Sequence, residues 1–201
     1  MVQVLTKTRM KDAPAEMLAQ SARPRWSSRT VTLPFLSDIS LQPTSKKDLQ
    51  LASLCVNDQL ELHDIEVQGV AAQPKEIKAL LPWVLVDDEH HIAPVLTFRS
   101  SQCAAHLLAS VVAPLQETAF KPEAVIAHWN LLVTDIRITP VEQYWHDTVA
   151  IIRVSLNNEM ELNGIRLLQN NQLHWPLAIR FTDTSLQNMI EAAIMAQLSH
   201  H

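Results

Sequence analysis

The sequence predicts an α+β protein made of two tandem copies of one small module. Each copy is a β-meander of four to five strands, closed by a C-terminal helix that packs on one face. Three observations predict this fold: strand-like blocks near residue 40 recur near residue 137, asparagine-rich turns recur about 100 residues apart, and each copy ends in a stripe with helical spacing. A sheet covered by a helix is a common way to bury one face of an amphipathic meander.

The first matched block is a strand with alternating apolar and polar residues. Leu36–Pro43 reads LSDISLQP and Val133–Pro140 reads VTDIRITP, so aspartate, isoleucine and proline coincide at an offset of 97 residues. Such alternation places one face inward and the other toward water. Both segments are therefore predicted to be half-buried strands.

The second matched block is a hairpin. Leu54–Val67 aligns with Val154–Leu167 without a gap at an offset of 100 residues, so the second copy has three extra residues in the preceding loop. Asn57-Asp58 and Asn157-Asn158 are turn formers that tolerate left-handed backbone, and alternating strand patterns follow both. The sequence therefore predicts a tight hairpin in each copy.

Each copy then continues with a fourth strand and a helix. The fourth strands are predicted to begin at Leu81 and Leu173, and each carries a tryptophan. Ser101 is the predicted N-cap of the first helix, and Thr184 or Ser185 that of the second. The stripes behind these caps have i, i+3, i+4 spacing and comprise Ala104, Leu107, Leu108, Val111 and Val112 in the first copy and Leu186, Met189, Ile190, Ala193, Ile194 and Gln197 in the second.

These patterns divide the chain into four parts. Residues 1–32 form a basic N-terminal arm, for which a short helix is one interpretation, and residues 33–116 form the first repeat. Residues 117–130 form a linker, with a short helix predicted over Lys121–Asn130, and residues 131–201 form the second repeat.

The order of these elements resembles the SpoVG family of septation and sporulation regulators. In the second copy VTDIRI, VAIIRVSLNNEMELNGIRLL and TSLQNMIEAAI stand where the family has its opening strand, its hairpin and its helix. In the first copy His91-Ile92-Ala93-Pro94 and Ser100-Ser101 resemble the stretch before the family's helix. The resemblance implies an α+β fold, bacterial relatives that are small nucleic-acid-binding regulators, and a habit of dimerising. The two copies are therefore expected to fold as an intramolecular pseudo-dimer.

The charge pattern departs from that family. Where the family has a basic hairpin between its fourth and fifth strands, the first copy has Asp87-Asp88-Glu89-His90-His91 and the second copy has no hairpin. Phosphate binding relies on clustered Lys and Arg, so this departure argues against nucleic-acid binding by the body. Residues 1–29 carry a net charge of +4 against −9 for the remainder, which predicts contact of this arm with something negative, either a partner or the acidic body of the same chain. A solvated arm without a partner is the alternative.

The sequence offers no enzymatic site. Its two glycines do not build a phosphate-binding loop or a dinucleotide fingerprint, and neither Cys55 nor Cys103 lies in a catalytic signature. The best metal candidate, residues 87–91 together with His63-Asp64, lacks the fixed ligand spacing of metal sites, and a solvated hairpin tip is the favoured interpretation. We therefore predict no enzymatic activity, no metal and no cofactor.

Cysteine content and hydropathy bear on the compartment. Cys55 and Cys103 are predicted to be buried free thiols, as is usual in the cytoplasm. No apolar run reaches the roughly 20 residues that span a bilayer, and the N-terminal 17 residues lack the apolar segment of a secretory signal. The protein is therefore predicted to be cytoplasmic. His200 and His201 are interpreted as either a native end or a tag remnant.

Aromatic residues are the remaining candidates for a binding site. Three tryptophans in or beside predicted elements are expected to belong to the core: Trp83, Trp129 and Trp175. Tyr144 and Trp145 fall in the longer loop of the second copy, and Trp26 falls in the arm. Because loop aromatics often anchor interfaces, these three are the predicted partner-binding residues. Partial burial is the alternative for Trp145.

The leading functional prediction is a non-enzymatic binding protein, a protein–protein adaptor or chaperone-like subunit of a larger bacterial assembly. It depends on the missing chemistry, the acidic body and the loop aromatics. The alternative is a nucleic-acid-binding regulator of the SpoVG type. In that alternative, the contacts to nucleic acid come from the arm and the strands, through Arg23, Arg25, Arg29, Arg137, Arg153 and Arg166.

Overall fold

Fourteen mostly antiparallel strands and two α-helices form the described part of the chain, which is an α+β protein as predicted. The computed structural model describes residues 32–70, 77–87, 89, 91–116, 125–145 and 147–199, with the backbone alone for 143–145. The strands are β1 (Thr32–Pro34), β2 (Leu36–Pro43), β3 (Leu49–Val56), β4 (Leu60–Gln68), β5 (Lys78–Leu80), β6 (Trp83–Leu85), β7 (Ile92–Pro94), β8 (Leu96–Phe98), β9 (Val125–Ala127), β10 (Val133–Trp145), β11 (Thr148–Leu156), β12 (Met160–Leu168), β13 (Leu173–His174) and β14 (Ile179–Phe181). The α-helices are α1 (Ser101–Val112) and α2 (Thr184–Leu198), and a short 3-10 helix, Ala113–Leu115, follows α1.

Two tight hairpins form the centres of the two large sheets. β3 and β4 are joined by Asn57-Asp58, with φ of 53° and 55°, and β11 and β12 by Asn157-Asn158, with φ of 54° at both residues. Asparagine and aspartate adopt this left-handed backbone more readily than most residues. The buried Asn57 also accepts hydrogen bonds at Oδ1 from the N–H groups of Phe35 and Trp129, each at 3.1 Å. The turn residues therefore fix where both hairpins reverse.

The two hairpins also share their register. Six partner pairs of β3 and β4 recur 100 positions later as partner pairs of β11 and β12. A register shift falls between Ala52 and Leu54 in the first hairpin and between Ile152 and Val154 in the second. β2 and β10 then extend the respective sheets on the outer side of β3 and β11.

Each large sheet is completed by a strand from the other half of the chain. β8 pairs with β12, so that Leu96 lies opposite Leu162, and β14 pairs with β4, so that Ile179 lies opposite Leu62. The short strands β5 and β13 pair with the far ends of β4 and β12. Both sheets therefore contain hydrogen bonds between distant parts of the sequence.

The predicted fourth strands are wrong in extent. The strand expected from Leu81 is reduced to β6, since β5 ends before it at Leu80, and the strand expected from Leu173 is divided into β13 and β14. Pro82 lies between β5 and β6, and Pro176 lies between β13 and β14. Proline has no N–H for a sheet ladder, so the chain leaves its sheet at these points.

The helices lie where they were predicted, but the cap residues differ. The N-cap of α1 is Ser100, not Ser101, and its hydroxyl oxygen accepts a hydrogen bond from the N–H of Gln102 at 3.2 Å. The N-cap of α2 is Asp183, not Thr184 or Ser185, and its carboxylate accepts from the N–H of Ser185 at 2.8 Å. In both cases the residue one position earlier has the extended backbone that a cap requires. α1 packs against β2, β3 and β5, and α2 packs against β10.

The linker helix predicted over Lys121–Asn130 is wrong where the structure describes it. Val125–Ala127 is strand β9, which pairs in parallel with β1, and residues 128–130 are neither helix nor strand. The β-branched Val125 and Ile126 favour a strand over a helix. Residues 121–124 lie outside the described part.

The buried core contains large aliphatic residues from both halves of the chain, including Leu54, Leu96 and Ile152. Cys55 and Cys103 are buried free thiols, as predicted. Neither α1 nor α2 is long and apolar enough to cross a membrane.

Candidate protein-binding surface

A short hairpin, β6–β7, lies between β5 and β8. Trp83 lies opposite Pro94 and Leu85 lies opposite Ile92. Because side chains alternate along a strand, these four residues share one face, which we call the outer face. Val84 lies on the opposite, inner face.

The inner face is held on β12 by close packing and hydrogen bonds. A Cβ atom on Gly164 would lie 2.6 Å from the Cβ of Val84, and Gly164 has φ of +79°. The side-chain amide of Asn163 donates to the carbonyl of Pro94 at 2.9 Å, and its backbone N–H donates to the carbonyl of Val95 at 2.9 Å. The base of the hairpin is therefore anchored to the second half of the chain.

The outer face is exposed and apolar. Trp83 is 58% exposed and Ile92 is 59% exposed, while Leu85 and Pro94 are half-buried. The prediction that Trp83 belongs to the core is wrong, because strand alternation directs Val84 toward Gly164 and Trp83 to the other side. Large exposed apolar residues that share one face are typical of interaction sites.

The other two tryptophans pack against the core, as predicted. Trp129 and Trp175 are partly buried beside it. Trp175 also meets the ring of Phe181 edge-on, at 4.7 Å between ring centroids. Trp83 therefore differs from them in its surroundings.

The tip of the hairpin is acidic in sequence, and an ion pair joins Asp87 to His91 across it. The Nδ1 of His91 lies 2.8 Å from Asp87 Oδ2, and the backbone N–H of His91 donates to Asp87 Oδ1 at 3.1 Å. Glu89 lies 3.8 Å from the same imidazole. The hydrogen bond to Asp87 and its charge raise the pKa of His91. Desolvation acts to raise the pKa of Asp87, but the hydrogen bonds from His91 outweigh it and hold that pKa below its usual value.

The metal site considered at this tip is not assembled by the described residues. Among them no three His, Cys, Asp or Glu side chains are placed to hold a metal ion. Asp88 and His90 lie outside the described residues. His63 instead lies 3.2 Å from Glu61, on β4.

The strand arginines predicted to contact nucleic acid each lie beside a polar partner. The pairs are Arg137 Nε with Asp135 Oδ2 (3.3 Å), Arg153 Nη1 with Glu161 Oε1 (4.0 Å) and Arg166 Nη2 with His174 Nδ1 (3.0 Å). Arg137 also lines a surface cavity of about 470 Å³ whose other charged residues are Arg99, Asp135, Glu159 and Glu161. Acidic side chains thus outnumber arginines around this cavity, which differs from the basic surfaces that bind phosphates.

Of the three predicted partner-binding aromatics, the structure describes only the backbone of Tyr144 and Trp145. Tyr144 and Trp145 belong to strand β10, not to a loop, because the longer second copy extends its strand until Trp145 pairs with Thr148. The surroundings of their side chains lie outside the description. Trp26 and the arm residues Arg23, Arg25 and Arg29 also lie outside the described residues.

The two cysteines lack the features of nucleophiles. Burial raises the pKa of the Cys55 thiol and that of the Cys103 thiol. A thiol with a raised pKa contributes little thiolate at neutral pH, and the thiolate is the reactive form.

Comparisons with known proteins identify no relative of this chain: no protein-family model, no curated protein and no solved structure matches it. The likeness to the SpoVG family stays a prediction from the residues quoted for it.

Proposed function

We propose that this chain is a non-enzymatic adaptor or chaperone-like subunit of a larger assembly in the bacterial cytoplasm, and that it docks a protein partner on the outer face of β6–β7. The single observation that carries the proposal is the exposed pair Trp83 and Ile92 on one face of a rigidly anchored hairpin. An interface hot spot combines such large apolar side chains with a fixed backbone, because little conformational entropy is then lost on binding.

The proposal includes a tandem duplication folded as an intramolecular pseudo-dimer. It is supported by the equal registers of the two hairpins and by the reciprocal pairing of β8 with β12 and β14 with β4. In this arrangement the hairpin is an addition to the first copy. Residues 83–94 separate Pro82 from Val95, whereas only Leu177 separates Pro176 from Ala178. One chain would therefore present one docking face, not two.

The free energy gained by burying Trp83 is large enough for the outer face to anchor a partner. A tryptophan side chain contributes about 250 Å² when fully buried, so the 58% exposure of Trp83 leaves roughly 145 Å² to cover. At about 25 cal/mol per Å², its burial would contribute about 3–4 kcal/mol before the entropy of association is subtracted. Loss of both Trp83 and Ile92 should then weaken binding by about 2 kcal/mol or more, which is about 30-fold.

The alternative function, nucleic-acid binding, is less well supported by the described residues. Arg137 and Arg153 lie beside Asp135 and Glu161, and Arg166 lies beside His174. Arginines that already face an acidic side chain attract phosphates less than a clustered basic surface does. This function therefore depends on the arm residues Arg23, Arg25 and Arg29.

An affinity capture with matched variants tests the proposal. Wild-type protein, the Trp83→Ser/Ile92→Ser variant and a Leu177→Ser control would each be used to capture proteins from the native lysate. Leu177 is 86% exposed and apolar but lies outside the hairpin, so its variant controls for a general loss of surface hydrophobicity. We expect a protein retained by wild type and Leu177→Ser but lost with the double variant. A capture profile that is unchanged in the double variant, or one dominated by nuclease-sensitive material, would reject the docking face.

A further inference from the structure

We propose that the segment bound by the outer face is cationic: a partner peptide whose large apolar side chains are flanked by lysine or arginine. This inference rests on the proposed function and specifies the chemistry of its partner. Its basis is the charge that borders the apolar face.

Apart from its histidines, the hairpin carries only negatively charged side chains. Residues 83–94 contain Asp87, Asp88 and Glu89 but no lysine or arginine. Asp87 is fixed by two contacts with His91, and the side chain of Glu89 is 77% exposed. The hairpin thus presents an apolar face that ends in negative charge.

The acidic residues of the tip lie close to the end of the outer face, where a docked peptide would pass. Leu85 and Ile92 form the last strand pair before the tip, and the N–H of Val86 donates to the carbonyl of His91 at 3.0 Å. Asp87 follows Leu85 by two residues, and Glu89 precedes Ile92 by three. A peptide seated on Trp83 and Ile92 would pass this tip, where a lysine or arginine side chain is long enough to reach a carboxylate while its stem packs on the apolar face.

An acidic or neutral segment would fit this surface less well. Acidic side chains placed against Asp87 and Glu89 would be repelled at short range, and like charges strongly disfavour a wrong partner. The body as a whole carries a net charge of −9 outside residues 1–29, which would also accelerate the approach of a cationic partner. Complementary charge at the rim thus adds selectivity to an apolar anchor.

Three synthetic peptides test the inference. Each would be a fluorescein-labelled 12-residue peptide with the same tryptophan and leucine positions, and the remaining positions would be mainly lysine, glutamine or glutamate. Fluorescence anisotropy with the full chain should give at least tenfold tighter binding of the lysine peptide than of the glutamate peptide. That preference should weaken between low and physiological salt.

Two protein variants assign the effect to its residues. Asp87→Asn/Glu89→Gln should weaken binding of the lysine peptide several-fold and leave the glutamine peptide unchanged. The control, Asp38→Asn/Glu66→Gln, alters two exposed acidic residues on the first sheet and should leave both affinities unchanged.

The outcomes separate this inference from the proposed function. If all three peptides bind equally and Trp83→Ser/Ile92→Ser abolishes binding, the docking face stands and the preference for cations is wrong. If Trp83→Ser/Ile92→Ser changes the binding of none of the peptides, the docking face itself is wrong.

Discussion

Replacing Gly164 with alanine tests whether the hairpin is anchored to the second half of the chain as described. The added Cβ would lie 2.6 Å from the Cβ of Val84 and 2.7 Å from its Cγ2, so one strand must shift. Overpacking of this kind costs about 1–3 kcal/mol. The φ of +79° adds about 1–2 kcal/mol of backbone strain for an L-residue, while the less flexible unfolded chain returns about 0.4–1 kcal/mol.

The expected loss in the free energy of unfolding is therefore about 1.5–4 kcal/mol. For a unit of this size, each kcal/mol lowers the melting temperature by about 2–4 °C, so thermal denaturation followed by circular dichroism should show a decrease of roughly 3–16 °C. Gly164→Ala/Val84→Ala should recover only a small part of the loss, because it removes the Cγ2 overlap at 2.7 Å but keeps the Cβ overlap at 2.6 Å and the backbone strain.

The chain supplies a matched control for backbone strain alone. Asp64 occupies the position 100 residues earlier, has φ of 57° and is exposed. Asp64→Ala should therefore cost only the strain, about 1–2 kcal/mol at most. If Gly164→Ala is no more destabilising than Asp64→Ala, then Val84 does not pack on Gly164 and the anchoring of the hairpin is wrong.

Three further predictions follow from individual contacts. Asn57→Ala should lower the free energy of unfolding, measured by urea denaturation, by about 3 kcal/mol or more, because the N–H groups of Phe35 and Trp129 lose their acceptor. Asn57→Gly also removes the acceptor but accepts the φ of 53° without strain. It should therefore be almost as destabilising if the lost hydrogen bonds, and not backbone strain, account for the effect. The pKa of His91, followed by NMR, should lie above its ordinary value, because the imidazolium is stabilised by Asp87; Asp87→Asn should move it back down, and an unchanged pKa would show that the ion pair is absent in solution. Cys55 and Cys103 should react slowly with iodoacetamide at pH 8 and rapidly in denaturant, since burial raises both thiol pKa values; fast labelling of the folded protein would contradict their burial.

Much of the fold could be predicted because it depends on local signals. Alternation in VTDIRIT and in its counterpart defines strands, and Asn57-Asp58 and Asn157-Asn158 define the turns, since few residues accept that backbone. The helices follow from the spacing of their apolar stripes. The caps were misplaced by one or two residues because Ser100 and Ser101 are chemically equivalent candidates, and only backbone geometry distinguishes them.

The candidate site could not be predicted in the same way, because it depends on contacts between distant residues. Whether Trp83 is buried is decided by the contact of its neighbour Val84 with Gly164, 80 positions away in the sequence. One signal was present: the acidic hairpin at residues 87–91 has no counterpart in the second copy, and insertions relative to a repeat often carry a distinct role. Glycine at 164, where the first copy has aspartate, was a second signal that something approaches the backbone there.

Site-specific photo-crosslinking in the native cells tests the central claim most directly. A benzophenone amino acid would replace Ile92 on the outer face, with the same replacement at Leu177 as the control. We expect a discrete protein adduct from position 92 that is absent from position 177 and is lost when Trp83→Ser is added. Adducts that are equal at both positions, or that contain nucleic acid and not protein, would contradict a protein-docking role for this hairpin.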